Sequence, residues 1–183
     1  MSSGKLNGVR IAILATDGFE QSELTEPRRL LDEAGAHTDV IAPGGKKQIR
    51  GWSKGDWGEA VPVDVALNSA KVENYDALLL PGGVMNPDKL RLEPEAIALI
   101  KAFGEADKLI AAICHGPWTL IDAGLVKNRQ LTSWPSLRTD LENAGAHWQD
   151  GEVVCDGKLI TSRKPQDIPA FAAAMIDALA RAR

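Results

Sequence analysis

A cysteine, a histidine and a glycine follow directly after an apolar run in residues 109–118, LIAAICHGPW. The five apolar residues 109–113 predict a buried strand, and Pro117 suits the first turn of a helix. Cys114 would then stand on a tight turn, beside helix N–H groups whose partial positive charge stabilises a thiolate. The pattern predicts a nucleophilic thiol with a lowered pKa. The alternative is a buried structural cysteine at a strand end.

An acidic residue after the first apolar run offers that thiol a partner. Glu20 follows Asp17-Gly18-Phe19, and its carboxyl could hydrogen-bond the Cys114 sulfur. When protonated it would donate to a thiolate, and when ionised it could accept the thiol proton. The alternative is an acid placed in the first turn of a helix because the helix dipole favours it.

Two consecutive glycines, Gly82 and Gly83, end another apolar run. Glycine lets backbone N–H groups approach a ligand closely, as an oxyanion hole requires, although an ordinary turn would use the same pair. His115 is not expected to be a direct base, because neighbouring side chains usually point apart, unless the turn and a carboxylate hold it in the site. Trp118 and Trp134 could form walls of a substrate site.

The other histidines, cysteine and tryptophans carry weaker signals. His37 and His147 begin strand-like segments and are interpreted as structural, and no histidine spacing indicates a metal site. Cys155 lies at a hairpin turn and is interpreted as structural or incidental. Trp52 and Trp57 lie in a turn-rich segment, where a protein interface is one explanation. We expect neither a metal nor a cofactor.

Composition narrows the class of protein. The 183 residues predict one domain over positions 1–183, and a net charge of −4 without a basic stripe argues against nucleic acid binding. No apolar run is long enough to cross a membrane, and the short polar start at residues 1–8 predicts no signal peptide. Two cysteines outside a C-x-x-C motif favour a reducing compartment, so we expect a cytoplasmic protein.

Apolar runs alternate with helical periodicity along the chain. Predicted strands cover residues 9–15, 38–42, 76–80 and 109–113, a shorter one covers 131–133, 61–65 forms an edge strand, and 152–154 and 158–161 form a hairpin. Predicted helices cover residues 20–34, 94–105, 118–123, 137–144 and 167–183. This alternation predicts a parallel sheet with helices on both faces and an active site beyond the carboxyl ends of the strands.

Several motifs together resemble the PfpI branch of the ThiJ/PfpI superfamily. They are AICHGP at 112–117, DGFE at 17–20 with Glu23-Leu24, LPGG at 80–83, TSWP at 132–135, where tyrosine is common at Trp134, and NAGA at 143–146. The resemblance covers nearly the whole chain. It implies an α/β flavodoxin-like three-layer sandwich, with a mainly parallel central sheet and a nucleophile elbow.

The resemblance also implies roles for site residues. Cys114 would be the nucleophile, with Glu20 hydrogen-bonded to it and His115 beside it. In PfpI relatives an acidic residue of a neighbouring subunit can orient the histidine, and Asp88 is the matching position here. The archaeal peptidase has a glutamate there, so the shorter Asp88 departs from the family pattern. Family members form dimers and some form hexamers, so we expect a homodimer or a higher homo-oligomer.

Two functions from different classes follow from these residues. The first is a cysteine hydrolase of the stress response that attacks a carbonyl of a peptide or of a small carbonyl adduct, as a peptidase or as a glyoxalase or deglycase. The second is a redox-sensing stress protein or chaperone that uses oxidation of Cys114 with little turnover. A glutamine amidotransferase would need a downstream histidine near a glutamate, whereas His147 is followed by Trp148-Gln149.

Overall fold

Seven strands form one mainly parallel sheet in the computed structural model, which describes residues 4–183. The strands of the chain are β1 (Arg10–Leu14), β2 (Phe19–Glu20), β3 (His37–Ala42), β4 (Gln48–Ser53), β5 (Asp56–Pro62), β6 (Val65–Ala66), β7 (Ala77–Leu80), β8 (Leu109–Ile113), β9 (Gln130–Leu131), β10 (His147–Trp148), β11 (Val153–Asp156) and β12 (Leu159–Ser162). The main sheet has the order β11-β12-β8-β7-β1-β3-β6, in which β11 is antiparallel to β12 and the other pairs are parallel. This arrangement confirms the predicted fold class. The first three residues of the chain, on which part of the signal-peptide prediction falls, lie outside the described residues.

Helices cover both faces of this sheet. They are α1 (Gln21–Glu33), α2 (Met85–Leu90), α3 (Pro94–Glu105), α4 (Trp118–Asp122), α5 (Arg138–Asn143) and α6 (Ile168–Arg181). Alternate residues of each central strand face opposite sides, so Ile11 and Ile13 join one core with α1 and α6, while Ala12 and Leu14 join the other with α3. Burial on both faces explains why these strands are apolar throughout.

Two features beside the candidate site, a hairpin and a short helix, were not predicted from the sequence. Strands β4 and β5 form an antiparallel hairpin over the segment interpreted as turns, with Trp52 and Trp57 packed edge to face at 5.5 Å. The hairpin joins β2 in a separate three-stranded sheet. The short helix α2 follows the Gly82-Gly83 turn. Both lie close to the carboxyl ends of the main strands, where the candidate site is built.

The helices described in residues 4–183 include none that is long and apolar enough to cross a membrane. That the chain forms one domain over positions 1–183 stays a prediction.

Candidate active site

Cys114 lies on a strained turn at the carboxyl end of β8. Its φ is 62°, in the left-handed region that non-glycine residues rarely adopt. The backbone is held from both sides, because the Cys114 N–H donates to Ser162 O at 3.0 Å and its carbonyl accepts from Trp134 N at 2.9 Å. Gly116 N closes the turn by donating to Ile113 O at 2.8 Å. Conformations of this kind cost about 1–3 kcal/mol and persist where the surroundings fix them, often at functional sites.

The carboxyl group beside this thiol belongs to Glu23 of α1. Glu23 is fully buried on the helix face that also carries Leu24, Pro27 and Leu31. Its Oε2 accepts a hydrogen bond from Gly82 N at 2.9 Å, and the carboxyl interacts with the Cys114 thiol. Its Oε1 is buried without a hydrogen-bond partner among residues 4–183. Glu23 is therefore the group that can exchange a proton with the sulfur.

This finding corrects the expectation that Glu20 contacts Cys114. Glu20 lies just before α1 with an extended backbone, and its half-buried side chain accepts a hydrogen bond from Ser22 Oγ at 3.2 Å. Glu23 lies almost one helical turn later, on the face directed at the sheet. The signal was present in the sequence, because Glu23 continues the helical spacing of Pro27 and Leu31. An acid on an apolar helix stripe needs a buried partner.

Burial controls the protonation of this pair. Burial, reinforced by the nearby charge of Glu20, raises the pKa of Glu23 to about 8. Burial and the Glu23 charge also raise the pKa of the Cys114 thiol, against the lowering effect of the Gly83 and His115 N–H groups. The predicted lowering of the thiol pKa is thus wrong, because Cys114 is only 7% exposed and helix α4 has five residues, too few for a strong dipole. Near neutral pH both groups therefore keep their protons, and a thiolate forms only when a neighbouring group takes the thiol proton.

The glycine turn supplies one N–H group to each member of the pair. Gly82 N donates to Glu23, whereas Gly83 N is directed at the Cys114 sulfur. A Cβ on Gly82 would lie 2.4 Å from Glu23 Oε2 and 2.7 Å from Cys114 Cβ. Gly83 has a φ of 78°, and a Cβ there would lie 2.6 Å from both Glu20 N and Gly18 O. Of the two expected oxyanion donors, Gly83 faces the sulfur and Gly82 is committed to the carboxyl group.

His115 is closer to the sulfur than neighbouring positions suggested. Its Nδ1 lies 3.2 Å from Cys114 Sγ, because the left-handed turn brings the two side chains together. Trp134 stacks on the imidazole at 6.2 Å between ring centres, and Trp118 meets it edge-on at 6.1 Å. Burial lowers the pKa of His115, so the ring is neutral near neutral pH. A neutral imidazole can accept the thiol proton.

The two tryptophans differ in how they are held. Trp118 donates from Nε1 to Asp140 Oδ2 at 3.0 Å and lies under the Arg91 guanidinium at 4.8 Å. Trp134 is 39% exposed, so part of its face is open to a ligand. The sequence predicts both as possible walls of the site, and in the structure both rings contact His115.

Asp88 does not reach His115 within the chain. It is exposed on α2, and its side chain forms no hydrogen bond or ion pair among residues 4–183. In the same part of the chain, the His115 side chain has the Cys114 sulfur as its hydrogen-bond partner. A carboxylate that orients this histidine would have to come from elsewhere.

The residues interpreted as structural lie away from this site. His37 Nε2 lies 3.0 Å from Asp39 Oδ1, and His147 is exposed on β10. Cys155 is a free, exposed cysteine on the edge strand β11. Residues 4–183 contain no group of three or more His, Cys, Asp or Glu side chains arranged for a metal. That the protein uses no metal or cofactor stays a prediction.

Comparison with known proteins gives a consistent result. Residues 9–178 match the profile of the DJ-1/PfpI family. The chain is 44% identical to "General stress protein 18" of Bacillus subtilis (strain 168), over 90% of this chain and 94% of that protein. It is 42% identical to "Putative cysteine protease YraA" of the same organism, over 88% and 93%. It is 41% identical to "Deglycase TK1284" of Thermococcus kodakarensis (strain ATCC BAA-918 / JCM 12380 / KOD1), over 89% and 95%.

Solved structures show the same fold. A two-domain protein from Anabaena variabilis ATCC 29413, with DJ-1/ThiJ/PfpI-like and ferritin-like domains, superposes with a TM-score of 0.88 at 33% identity. The match covers 93% of this chain and 48% of that one, so this chain spans about half of its length. Drosophila melanogaster DJ-1beta superposes with a TM-score of 0.85 at 28% identity, over 94% of this chain and 90% of that one.

Replacing Glu23 should change how stability depends on pH. The unfolded chain loses the Glu23 proton near the ordinary value of 4.5, whereas the folded protein keeps it up to about pH 8. Burial of Glu23 therefore lowers the free energy of unfolding increasingly as pH rises between about 5 and 8, by about 3–5 kcal/mol in total. We expect Glu23→Gln to remove this loss, so that the variant gains stability over wild type with rising pH. Urea unfolding across this range measures the difference.

Glu20→Gln is the matched control for this experiment, because it changes a neighbouring half-buried carboxyl in the same way. It should keep most of the wild-type pH slope, because burial is the largest cause of the raised Glu23 pKa and the Glu20 charge is a smaller one. A Glu23→Gln variant with the wild-type slope would show that this carboxyl does not hold its proton near neutral pH.

Proposed function

The chain belongs to the DJ-1/PfpI family, and from that premise we propose that it is a stress-response enzyme whose Cys114 thiol attacks a carbonyl carbon. One observation carries the proposal: a carboxyl, an imidazole nitrogen and a backbone N–H meet at a single sulfur. These are the Glu23 carboxyl, His115 Nδ1 and Gly83 N. Together they provide sites for the thiol proton and a donor near the reacting atoms.

The chemical step begins with transfer of the thiol proton to the neutral His115 ring or to an ionised Glu23. A sulfur electron pair then forms a bond to the carbonyl carbon, and the carbonyl π pair moves onto oxygen. The Gly83 N–H is the donor placed to stabilise that negative charge. With a peptide, the C–N bond breaks as His115 returns the proton to nitrogen, and water hydrolyses the thioester. With an aldehyde or ketone adduct, the same attack ends in a hemithioacetal oxygen that accepts the proton.

The proposed substrates are small carbonyl adducts or peptides. The names of relatives support both classes, because one relative is named a deglycase and another a cysteine protease. The site itself favours compact substrates, since Cys114 is 7% exposed and His115 is 9% exposed. Trp134 stacks on His115 and is 39% exposed, so its open surface could contact the part of the substrate next to the carbonyl.

We propose a cytoplasmic location, because the two cysteines are both free. The relative named a general stress protein fits a role under stress.

Substitution at the sulfur tests the enzyme proposal. Cys114→Ala should reduce hydrolysis of methylglyoxal adducts or of unstructured peptides to background, because no other group takes the place of the nucleophile. Glu23→Gln should reduce it by about 10²–10⁴-fold, the usual contribution of a proton-transferring group. Cys155→Ser, which changes the distant exposed cysteine, should keep wild-type rates. Full activity of Cys114→Ala on a substrate would assign that activity to another site or to a contaminant.

A second candidate function is redox sensing, with or without chaperone activity. Thiolate attack on hydrogen peroxide forms an S–O bond and breaks the O–O bond, and the departing hydroxide takes up a proton. Repetition gives sulfinate. The N–H groups of Gly83 and His115 and a protonated Glu23 surround the sulfur and could bond the added oxygens.

Mild peroxide treatment distinguishes this function. We expect intact mass to rise by roughly 16 or 32 Da, the mass of one or two oxygens, with the modification at Cys114 rather than at the more exposed Cys155. The Glu23→Gln variant should oxidise with less selectivity for Cys114. Preferential oxidation of Cys155 in the wild type would contradict a sensing role for Cys114.

Assembly is the third part of the proposal. Because Asp88 is exposed and lies outside hydrogen-bond contact with His115, it could orient the histidine of a second subunit, as in PfpI relatives. We expect light scattering at micromolar concentration to show a homodimer or a larger homo-oligomer. Asp88→Asn should lower activity without changing the mass of the assembly, whereas Asp107→Asn, at an exposed ion pair with Lys158, should not. A fully active monomer would exclude both the assembly and a role of Asp88 across subunits.

A further inference from the structure

Asn86 is a fully buried polar residue in the first turn of α2 with every side-chain hydrogen bond directed at the active-site loops. Its Oδ1 accepts from Thr16 N at 2.8 Å. Its Nδ2 donates to Pro81 O at 3.0 Å and to Gly82 O at 3.1 Å. The amide orientation is fixed chemically, because Thr16 offers a donor and the two carbonyl groups offer acceptors.

The two carbonyl groups belong to consecutive peptide units whose N–H groups serve the site. A trans peptide is planar, so its N–H points away from its C=O, and the described chain has no cis peptide bond. The first unit joins Pro81 O to Gly82 N, which donates to Glu23 Oε2. The second joins Gly82 O to Gly83 N, which is directed at the Cys114 sulfur. Fixing the two carbonyl groups therefore fixes the direction of both donors.

We propose that Asn86 is a positioning residue that uses one amide group to aim the Gly82 N–H at Glu23 and the Gly83 N–H at Cys114. The inference rests on the proposed role of Cys114 as the reactive thiol. Asn86 belongs to α2, outside both the Cys114 turn and the helix that carries Glu23. The proposal is that this residue positions the hydrogen-bond donors of both Glu23 and Cys114.

The two glycines explain why these carbonyl groups need to be held by hydrogen bonds. Residues without Cβ reach many backbone conformations, so the two glycine peptides can rotate at low cost unless their carbonyl groups are held. Glu20 N also donates to Gly82 O at 3.2 Å, whereas Pro81 O has Asn86 as its side-chain partner. A rotation would leave the buried Glu23 Oε2 without a donor and would remove the donor at the sulfur. The acid and the nucleophile would therefore be altered together.

The test measures alkylation of Cys114 by iodoacetamide across pH, in a Cys155→Ser background so that one thiol reacts. Asn86→Asp keeps the acceptor for Thr16 but replaces the two-proton donor with a group that repels both carbonyl groups when ionised. Asn86→Leu removes all three hydrogen bonds. We expect each to slow alkylation at pH 7 by at least about tenfold, the effect of losing one hydrogen bond to a charged group, and to move the pH midpoint upward.

Thr38→Val is the control for a loss of stability alone. Thr38 is 4% exposed on β3, donates to Asp32 Oδ1 at 2.8 Å and accepts from Arg28 Nε at 3.0 Å, so its loss also removes partly buried side-chain hydrogen bonds. It should lower the melting temperature and keep the wild-type alkylation profile. A merely structural Asn86 would give the result of Thr38→Val, and this would overturn the proposal.

If the Asn86 variants fail to fold, the proposal can be tested on the unmodified protein. ¹⁵N relaxation should give the Gly82 and Gly83 amides order parameters near the rigid value of about 0.85. Values below about 0.6 would show that the two amides are not fixed and would overturn the proposal. A wild-type Cys114 that does not react would count against the proposed function instead. Normal reactivity together with unaffected Asn86 variants would count against this inference alone.

Discussion

The buried contact between the Glu23 carboxyl and the Cys114 thiol is the constraint on which the site depends. Burial raises the pKa of both groups, so near neutral pH the carboxyl and the thiol each keep a proton and neither carries a charge. Their approach leaves no room for a side chain at Gly82, where a Cβ would lie within 2.7 Å of both residues. It also requires a hydrogen-bond donor for the carboxyl oxygen, which Gly82 N supplies. One contact thus explains both the residue type and the backbone direction of the glycine turn.

The elements that seemed peripheral hold this contact in place. Strand β2 pairs with β4 of the hairpin, which fixes the chain just before α1 and with it the helix that carries Glu23. Gly18 N donates to Arg50 O at 2.8 Å, so the hairpin also holds the loop after β1. On the other side, the short helix α2 carries Asn86 into the interior between the same loop and the glycine turn. The parallel sheet brings the strand ends together, and these additions set the positions of the reacting atoms.

The strands of the main sheet could be predicted from the sequence, whereas the β4–β5 hairpin and α2 could not, and the reasons are physical. Strands such as β8, buried on both faces, leave an apolar run that cannot be mistaken for a solvated segment. The β4–β5 hairpin is mostly exposed, and its glycines and polar residues match a turn as well as a strand. Glu20 was the predicted partner of Cys114 because it follows the loop after the first strand. The helical spacing of Glu23 with Pro27 and Leu31 indicates Glu23 instead. A lowered thiol pKa was expected from the dipole of the following helix. Burial raises that pKa instead, and the extent of burial depends on tertiary packing, which the local sequence does not contain.

The two proposed functions have their first step in common, the removal of the Cys114 proton. Attack on a carbonyl and attack on peroxide both begin when a neighbour takes the proton from Cys114, so Glu23 and His115 serve either reaction. The reactions differ afterwards, because peptide hydrolysis must deliver a proton to a leaving nitrogen, whereas peroxide oxidation releases a small hydroxide. Delivery to nitrogen depends on a histidine held in one orientation. Trp118 and Trp134 limit the tilt of the His115 ring, but its Nε2 has no hydrogen-bond partner among residues 4–183. If Asp88 of a second subunit supplies that partner, as proposed, subunit assembly is the step that separates a hydrolase from a sensor built on the same pair.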